Sequence, residues 1–259
     1  MKTNLILGIK VNSLSEQELT ERIQVFLKSD MPHYIATVNP EIILEAQNDE
    51  EYHYILNHTD ISIADGFGLK LAGWLILRNI IRNTGVDLTE KLLAMAQAEN
   101  LKIAIVNWHS GLSRSDEILA AVQRKYPGLR IVIAEIARDD NEYNFPEFEK
   151  FRPDILFVSL GAPYQEKFIY HYLPKIPYLK LAVGIGGTFD LITGKIKRAP
   201  KILRGLGLEW LWRLKEQPWR LKRIYNATLV FIYKYLKYAF LNPFLYRPNI
   251  SCLLYKKEN

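Results

Sequence analysis

The sequence predicts an α/β fold: a mainly parallel sheet with helices on both faces, followed by a C-terminal helical appendage. Three features point there. Short β-branched and apolar runs alternate with amphipathic segments as far as Asp190. The runs are continuously apolar, as in strands buried on both faces. After Asp190 the alternation stops and a basic, aromatic-rich stretch begins. Strands that alternate with helices in this way make a Rossmann-like sheet.

The elements follow in order. Ser13-Leu14-Ser15-Glu16 reads as a capping box that opens a helix through Phe26. Residues 34–38 read as a strand, and Asn39-Pro40 then supplies an N-cap and a first-turn proline. Residues 61–64 form a short strand ending in Asp65-Gly66, followed by an apolar helix over 67–77. Residues 102–106, 129–134, 154–160 and 179–184 supply four more strands, with amphipathic helices such as 116–126 and 165–173 between them. Residues 203–214 and 219–240 read as helices, with Pro218 starting the second. Residues 1–194 therefore form the α/β body and 195–259 the appendage.

Composition narrows the function. Across 259 residues, 49% hydrophobic and 24% charged content excludes a disordered or collagen-like chain. The single cysteine, Cys252, excludes a disulfide framework and a cysteine-based zinc site. The apolar run Leu5-Ile6-Leu7-Gly8-Ile9 is too short for a secretory signal, and no stretch reaches the roughly 18 apolar residues of a spanning helix. A cytoplasmic location is expected. Residues 195–259 carry 15 Lys and Arg against three acids, a net of +12, leaving the other 194 residues at −6 of the chain's +6. Such a tail suits an anionic partner. Residues 219–240 set Ile224, Leu229, Phe231, Ile232, Tyr235, Leu236, Tyr238 and Phe240 against Arg220, Lys222, Arg223, Lys234 and Lys237. That pattern suits a helix lying in a membrane interface, ahead of a helix packed on the body, and nucleic-acid binding ranks last.

In an open parallel sheet, ligands bind at the carboxyl ends of the strands. There the sequence places Thr37 and Asn39, then Asp65-Gly66, then Gly161-Ala162-Pro163-Tyr164-Gln165-Glu166, then Gly184-Ile185-Gly186-Gly187-Thr188-Phe189-Asp190. Asp65 is placed to act as a general base on a hydroxyl nucleophile. The Gly-Gly-Thr turn offers backbone N–H groups to a diphosphate. Its spacing is not the dinucleotide fingerprint, which disfavours a nicotinamide enzyme. No Asp-x-Asp motif follows a strand, the five histidines show no ligand spacing, and Asp139-Asp140 reads as a solvated loop. No metal and no cofactor are expected.

The motifs Thr37-Val38-Asn39-Pro40-Glu41, Ala64-Asp65-Gly66, Gly85-x-Asp87-Leu88, Gly161-x-Pro163-x-Gln165-Glu166 and Gly184-x-Gly186-Gly187-Thr188-Phe189-Asp190 resemble, in order and spacing, the WecG/TagA/CpsF glycosyltransferases. The run from Gly194 to Pro200, continuing into Gly207-Leu208-Glu209-Trp210-Leu211-Trp212-Arg213, extends the resemblance over residues 5–225. It implies an inverting, metal-independent transferase that moves an N-acetylmannosamine-type or related sugar from a UDP-sugar to an undecaprenyl-diphosphate-linked acceptor. The setting would be cell-surface polysaccharide or teichoic acid synthesis, with the enzyme peripheral on the inner membrane face. By motif, Asp65 is the base, with Thr37 and Asn39 in its pocket. Arg213, Arg220 and Arg223 would meet the lipid or the leaving diphosphate. Gly66, Arg82, Asp87, Gly161, Pro163, Gln165, Glu166, Gly186, Gly187, Thr188 and Asp190 would bind substrate. The sequence departs from the family pattern at Asn107-Trp108-His109-Ser110-Gly111. The rival reading is a non-catalytic nucleotide-binding membrane adaptor on the same scaffold, and self-association into a homo-oligomer stays open.

Overall fold

The computed structural model describes residues 1–75, 78–138, 143 and 145–242. Cys252, the Asp139-Asp140 loop, the end of the expected helix 67–77 and the last 17 residues of the expected appendage lie outside the described residues.

The chain opens with a hairpin that the sequence reading did not anticipate. β1 (Lys2–Ile6) and β2 (Ile9–Ser13) pair antiparallel around Leu7-Gly8, both at positive φ. This run is too short and too mixed to announce a hairpin by pattern. α1 (Glu16–Leu27) is capped by Ser15, whose hydroxyl accepts from the Glu18 N–H while Glu18 accepts from the Ser15 N–H. The capping box thus lies two residues beyond the expected Ser13–Glu16 pair. Ser13 is still in β2, where its hydroxyl donates to the Asn79 carbonyl and accepts from the Ile81 N–H.

β3 (His33–Val38) leads into α2 (Pro40–Glu45) and α3 (Glu50–Asn57), then β4 (Ile61–Ala64), α4 (Phe67–Leu75) and α5 (Gly85–Ala98). β5 (Lys102–Trp108), α6 (Ser115–Lys125), β6 (Arg130–Ile136), α7 (Pro146–Phe151), β7 (Ile155–Ser159), α8 (Tyr164–Tyr172), β8 (Leu181–Gly184) and α9 (Thr188–Ile192) complete the body. Among the described residues one sheet forms in the order β1-β2-β4-β3-β8-β7-β5-β6, parallel apart from the β1–β2 pair. One apolar layer joins Ile42, Ile43, Tyr52, Phe168 and Ile169 of α2, α3 and α8 to one face. The other joins Ile23, Leu92, Ile118 and Phe189 of α1, α5, α6 and α9 to the opposite face.

The appendage comprises α10 (Lys201–Gly205), α11 (Glu209–Glu216), α12 (Leu221–Tyr225), a π-helical turn over Asn226–Val230 and α13 (Phe231–Leu241). The expected helix 203–214 is thus two helices. The break falls at Gly207, which has φ +74° and would set a Cβ 2.2 Å from the Phe67 ring. A side chain cannot fit there, so the chain must turn.

α13 is both a packed and an exposed helix. Phe231 and Tyr235 are fully buried in the same apolar layer as Ile42, Leu69 and Ala72. Tyr233, Leu236 and Phe240 face outward. One side of α13 is thus packed on the body, as the second reading expected, and its other side is exposed. Among the described residues no helix is long and apolar enough to cross a membrane.

Candidate active site

β3 sends its chain toward β4 over one face of the sheet, whereas β8 leads into α9 on the other. Neighbouring strands whose connections part in this way leave a crevice at their carboxyl ends. A cavity of about 770 Å³ opens there, within the size range of small-molecule sites. The ends of β3, β4, β7 and β8 form its floor, and the appendage forms its far wall.

Asp65 stands on that floor, directly after β4. Its Oδ2 accepts from the Gly85 N–H at 3.2 Å. Burial pushes the carboxyl above the usual carboxylate range. The Gly85 N–H, Arg213 and Arg82 oppose the shift, and Glu209 adds to it. A recessed carboxylate of raised basicity is the kind of group that removes a hydroxyl proton. Thr37 donates its hydroxyl to the Gly184 carbonyl at 2.8 Å, locking the β3 and β8 ends together beside Asp65. Asn39 spends its side-chain oxygen on the Ile42 N–H as the α2 cap, and still lines the cavity.

The appendage brings the cations. Glu209 accepts from Arg82 Nη2 at 2.7 Å and from Arg213 Nη2 at 3.0 Å, tying the appendage to the body beside Asp65. Burial raises the Glu209 carboxyl, but Arg213 and Arg82 outweigh it and hold the group ionised. Arg223 makes a two-pronged pair with Glu41, at 3.0 and 2.8 Å. Arg220 differs: among the described residues it makes no ion pair. Burial lowers its pKa first, then Arg223 and Arg213, with Glu41 and Asp190 opposing. A half-buried guanidinium without a carboxylate partner, flanked by two others, is suited to meeting an anionic group.

Thirteen of the expected site residues line this one cavity: Thr37, Asn39, Asp65, Gly161, Pro163, Gln165, Gly186, Gly187, Thr188, Asp190, Arg213, Arg220 and Arg223. Four do not. Gly66 forms the turn beneath Asp65 and is not in the lining. Arg82 is held back by Glu209, and Asp87 binds Arg198 Nη2 at 2.5 Å and the Thr84 hydroxyl. Glu166 is fully buried behind Gln165. These last three act on residues of the wall, and none contacts the cavity itself. The Gly-Gly-Thr turn also offers fewer donors than expected, because the Gly186 N–H is bonded to Gln165 Oε1 and the Thr188 N–H to the Ile185 carbonyl.

The atypical run 107–111 acts on the site through one intermediary. Asn107 donates to the Ser113 carbonyl, and the Ser113 hydroxyl donates to Asp190 Oδ1 at 2.7 Å, fixing that side chain at the cavity wall. Sequence reasoning passed over Glu41, Arg198 and Glu209 as functional residues. The signal for Glu209 was its rarity, since it is one of three acids among 15 basic residues. Glu41 reads only as an ordinary first-turn acid.

Glu209→Gln would release both arginines. Its expected effect is a loss of about tenfold in turnover efficiency, the scale of a charge-assisted hydrogen bond. Because Glu209 raises the Asp65 pKa, the acid limb of the pH profile should move to lower pH. An unchanged rate and profile would show that the Arg82–Glu209–Arg213 bridge is ornamental.

A parallel sheet with a crevice at its switch point, a buried carboxylate on the crevice floor and arginines in its wall make a Rossmann-like α/β protein with a cavity suited to an anionic ligand. The chain belongs to the Glycosyl transferase WecG/TagA/CpsF family, whose model matches residues 4–243. It is 32% identical over 192 residues to the N-acetylglucosaminyldiphosphoundecaprenol N-acetyl-beta-D-mannosaminyltransferase of Bacillus subtilis, covering 73% of this chain and 74% of that one. The enzyme of the same name from Bacillus spizizenii is 32% identical over 81% of this chain and 82% of its own. That of Staphylococcus aureus MRSA252 is 27% identical over 90% and 91%.

Proposed function

We propose that this chain transfers an N-acetylmannosamine-type sugar from a UDP-sugar to an undecaprenyl-diphosphate-linked acceptor, with inversion at the anomeric carbon. The observation that carries the reading is Arg220, half-buried and without a carboxylate partner, near Arg213 and Arg223 in the wall of the cavity that Asp65 also lines. Asp65 takes the proton of the acceptor hydroxyl as that oxygen attacks the anomeric carbon. UDP leaves from the opposite face, its growing charge met by the arginines. In this scheme guanidinium groups do what a divalent cation does elsewhere, so the reaction is metal-independent. The relatives' names, which specify a beta-mannosaminyl product and a diphosphoundecaprenol acceptor, support the substrate class.

The test is UDP release from a panel of UDP-sugars with a lipid-diphosphate N-acetylglucosamine acceptor, with the product's anomeric configuration read by NMR. Release in the presence of chelator supports the scheme. UDP binding without release would favour the adaptor reading instead.

The lipid substrate places the reaction at a membrane surface, and the appendage carries the means of docking. Trp219, Tyr233 and Phe240 are 75%, 67% and 85% exposed, among many basic residues. Aromatic side chains anchor at the interface, and each basic residue near anionic lipid adds about 1 kcal/mol that salt weakens. Replacing these three aromatics together by Ser should weaken binding to anionic vesicles by at least about tenfold, with the residual binding abolished by salt. Sedimentation with vesicles reads this, and unaltered binding would remove the appendage as the docking surface.

A further inference from the structure

Beneath the cavity lies a polar cluster that the mechanism above does not use. Glu166 of α8 is 0% exposed. Its Oε1 accepts from Gln165 Nε2 at 2.7 Å, while its Oε2 makes no hydrogen bond. The groups facing it are the Tyr52 hydroxyl of α3 and the Tyr34 hydroxyl of β3, with Glu45 of α2 beyond Tyr52. Both tyrosine hydroxyls are buried and close no hydrogen bond, although Tyr52 lies within interaction range of the carboxyl. Among the described residues no cation balances the cluster. A buried carboxyl without a counter-ion is destabilising, so its presence calls for a role.

Gln165 supplies one. Its Oε1 accepts from the Gly186 N–H at 2.8 Å, at the wall of the cavity. Its side chain lies so close over the end of β8 that a Cβ on Gly184 would meet Nε2 at 2.8 Å. The two ends of a glutamine amide are nearly isosteric, and only their partners decide which way round it sits. If it were reversed, Nε2 would face the Gly186 N–H, donor against donor. The same loop is held by its carbonyls, through Thr37 on Gly184 and Ser159 on Gly186. Gln165 holds it by an N–H.

We propose that Glu166 is a positioning residue for the donor site: its buried carboxylate fixes the Gln165 amide in the orientation that anchors the Gly186 backbone at the cavity wall. The inference rests on the UDP-sugar reading proposed above and adds to it that this wall, part of the same cavity lining, meets the UDP portion. Burial pushes Glu166 up to about 7, with Gln165, its own backbone N–H and Tyr52 opposing. Protonation gives the carboxyl a donor of its own and so tolerates the reversed amide. Donor affinity should therefore fall as the pH drops below about 7.

The experiment is titration calorimetry of the full chain with UDP from pH 5.5 to 8.5, for wild type, Glu166→Gln and Glu166→Leu. Hydrogen-exchange protection of residues 184–188 is measured on the same samples. Wild-type affinity should fall by about threefold in all as the pH drops from 8 to 5.5 and then level off at the Glu166→Gln value, in addition to any slope from UDP itself. Glu166→Gln keeps an acceptor but does not titrate, so it should bind about threefold more weakly than wild type at pH 8 and lose the extra slope. Glu166→Leu should bind about tenfold more weakly throughout and lose protection at 184–188, where Glu166→Gln keeps it. The common UDP and Asp65 titrations cancel in the comparison with Glu166→Gln. Identical pH dependence in wild type and Glu166→Gln, or full protection in Glu166→Leu, overturns the proposal. If wild type binds no UDP at any pH, the donor reading fails, and the exchange data still decide whether Glu166 orders the loop.

Discussion

Asp65→Asn is expected to lower turnover by about 10²–10⁴-fold, the range for removal of a general base. Asparagine keeps the size and can still accept from the Gly85 N–H, so UDP affinity should be largely retained. Burial of the Asp65 carboxyl is itself unfavourable, so the neutral variant should melt no lower than wild type, as is common where a site holds a desolvated charge. Wild-type efficiency should rise with pH through an apparent pKa above the ordinary aspartate value of about 3.9, because the base works only when ionised. A folded Asp65→Asn variant turning over within a few fold of wild type would remove Asp65 from the chemistry.

Arg220→Ala should give the second largest loss, about 10²–10³-fold in kcat, the scale for one group aimed at developing charge. The sequence offered Arg213, Arg220 and Arg223 as equals, but the structure ranks them. Arg213 shares Glu209 and Arg223 shares Glu41, so each already has a carboxylate partner. Arg220 has its full charge to give. Arg223→Ala, by contrast, removes a charge that Glu41 already neutralises in part, and should cost less. Arg220→Lys should recover part of the rate, since a point charge replaces a planar fork. Rates of UDP release for the three single variants check the ranking. Equal losses at 220 and 223 would refute it.

The exposed aromatics and the buried Phe231 and Tyr235 share α13, which changes how the appendage should be probed. Removing it would strip cover from Ile42, Leu69 and Ala72 in the body's core. Outward-facing side chains are the cleaner targets for separating docking from catalysis.

The sequence by itself determined the parallel α/β body, because continuous apolar strands and capped helices announce themselves over a few residues. Asp65, Thr37 and Gln165 were legible as polar residues at or just after strand ends, and the three arginines only through the family resemblance. Local pattern placed the capping box two residues early and missed the β1–β2 hairpin. Ser13 takes its role from partners at Asn79 and Ile81, which no short window contains, and the hairpin, though local, carries no pattern strong enough to announce it. Only the tertiary structure decided which polar groups reach the cavity. Arg82, Asp87 and Glu166 sit in motifs beside site residues, yet Glu209, Arg198 and burial turn them inward to support the wall. The reason is physical. A motif fixes the residue type and backbone position, whereas the direction of a charged side chain is set by the nearest countercharge or hydrogen-bond partner. Here that partner lies far away in the chain, 127 residues for Arg82 and Glu209 and 182 for Glu41 and Arg223.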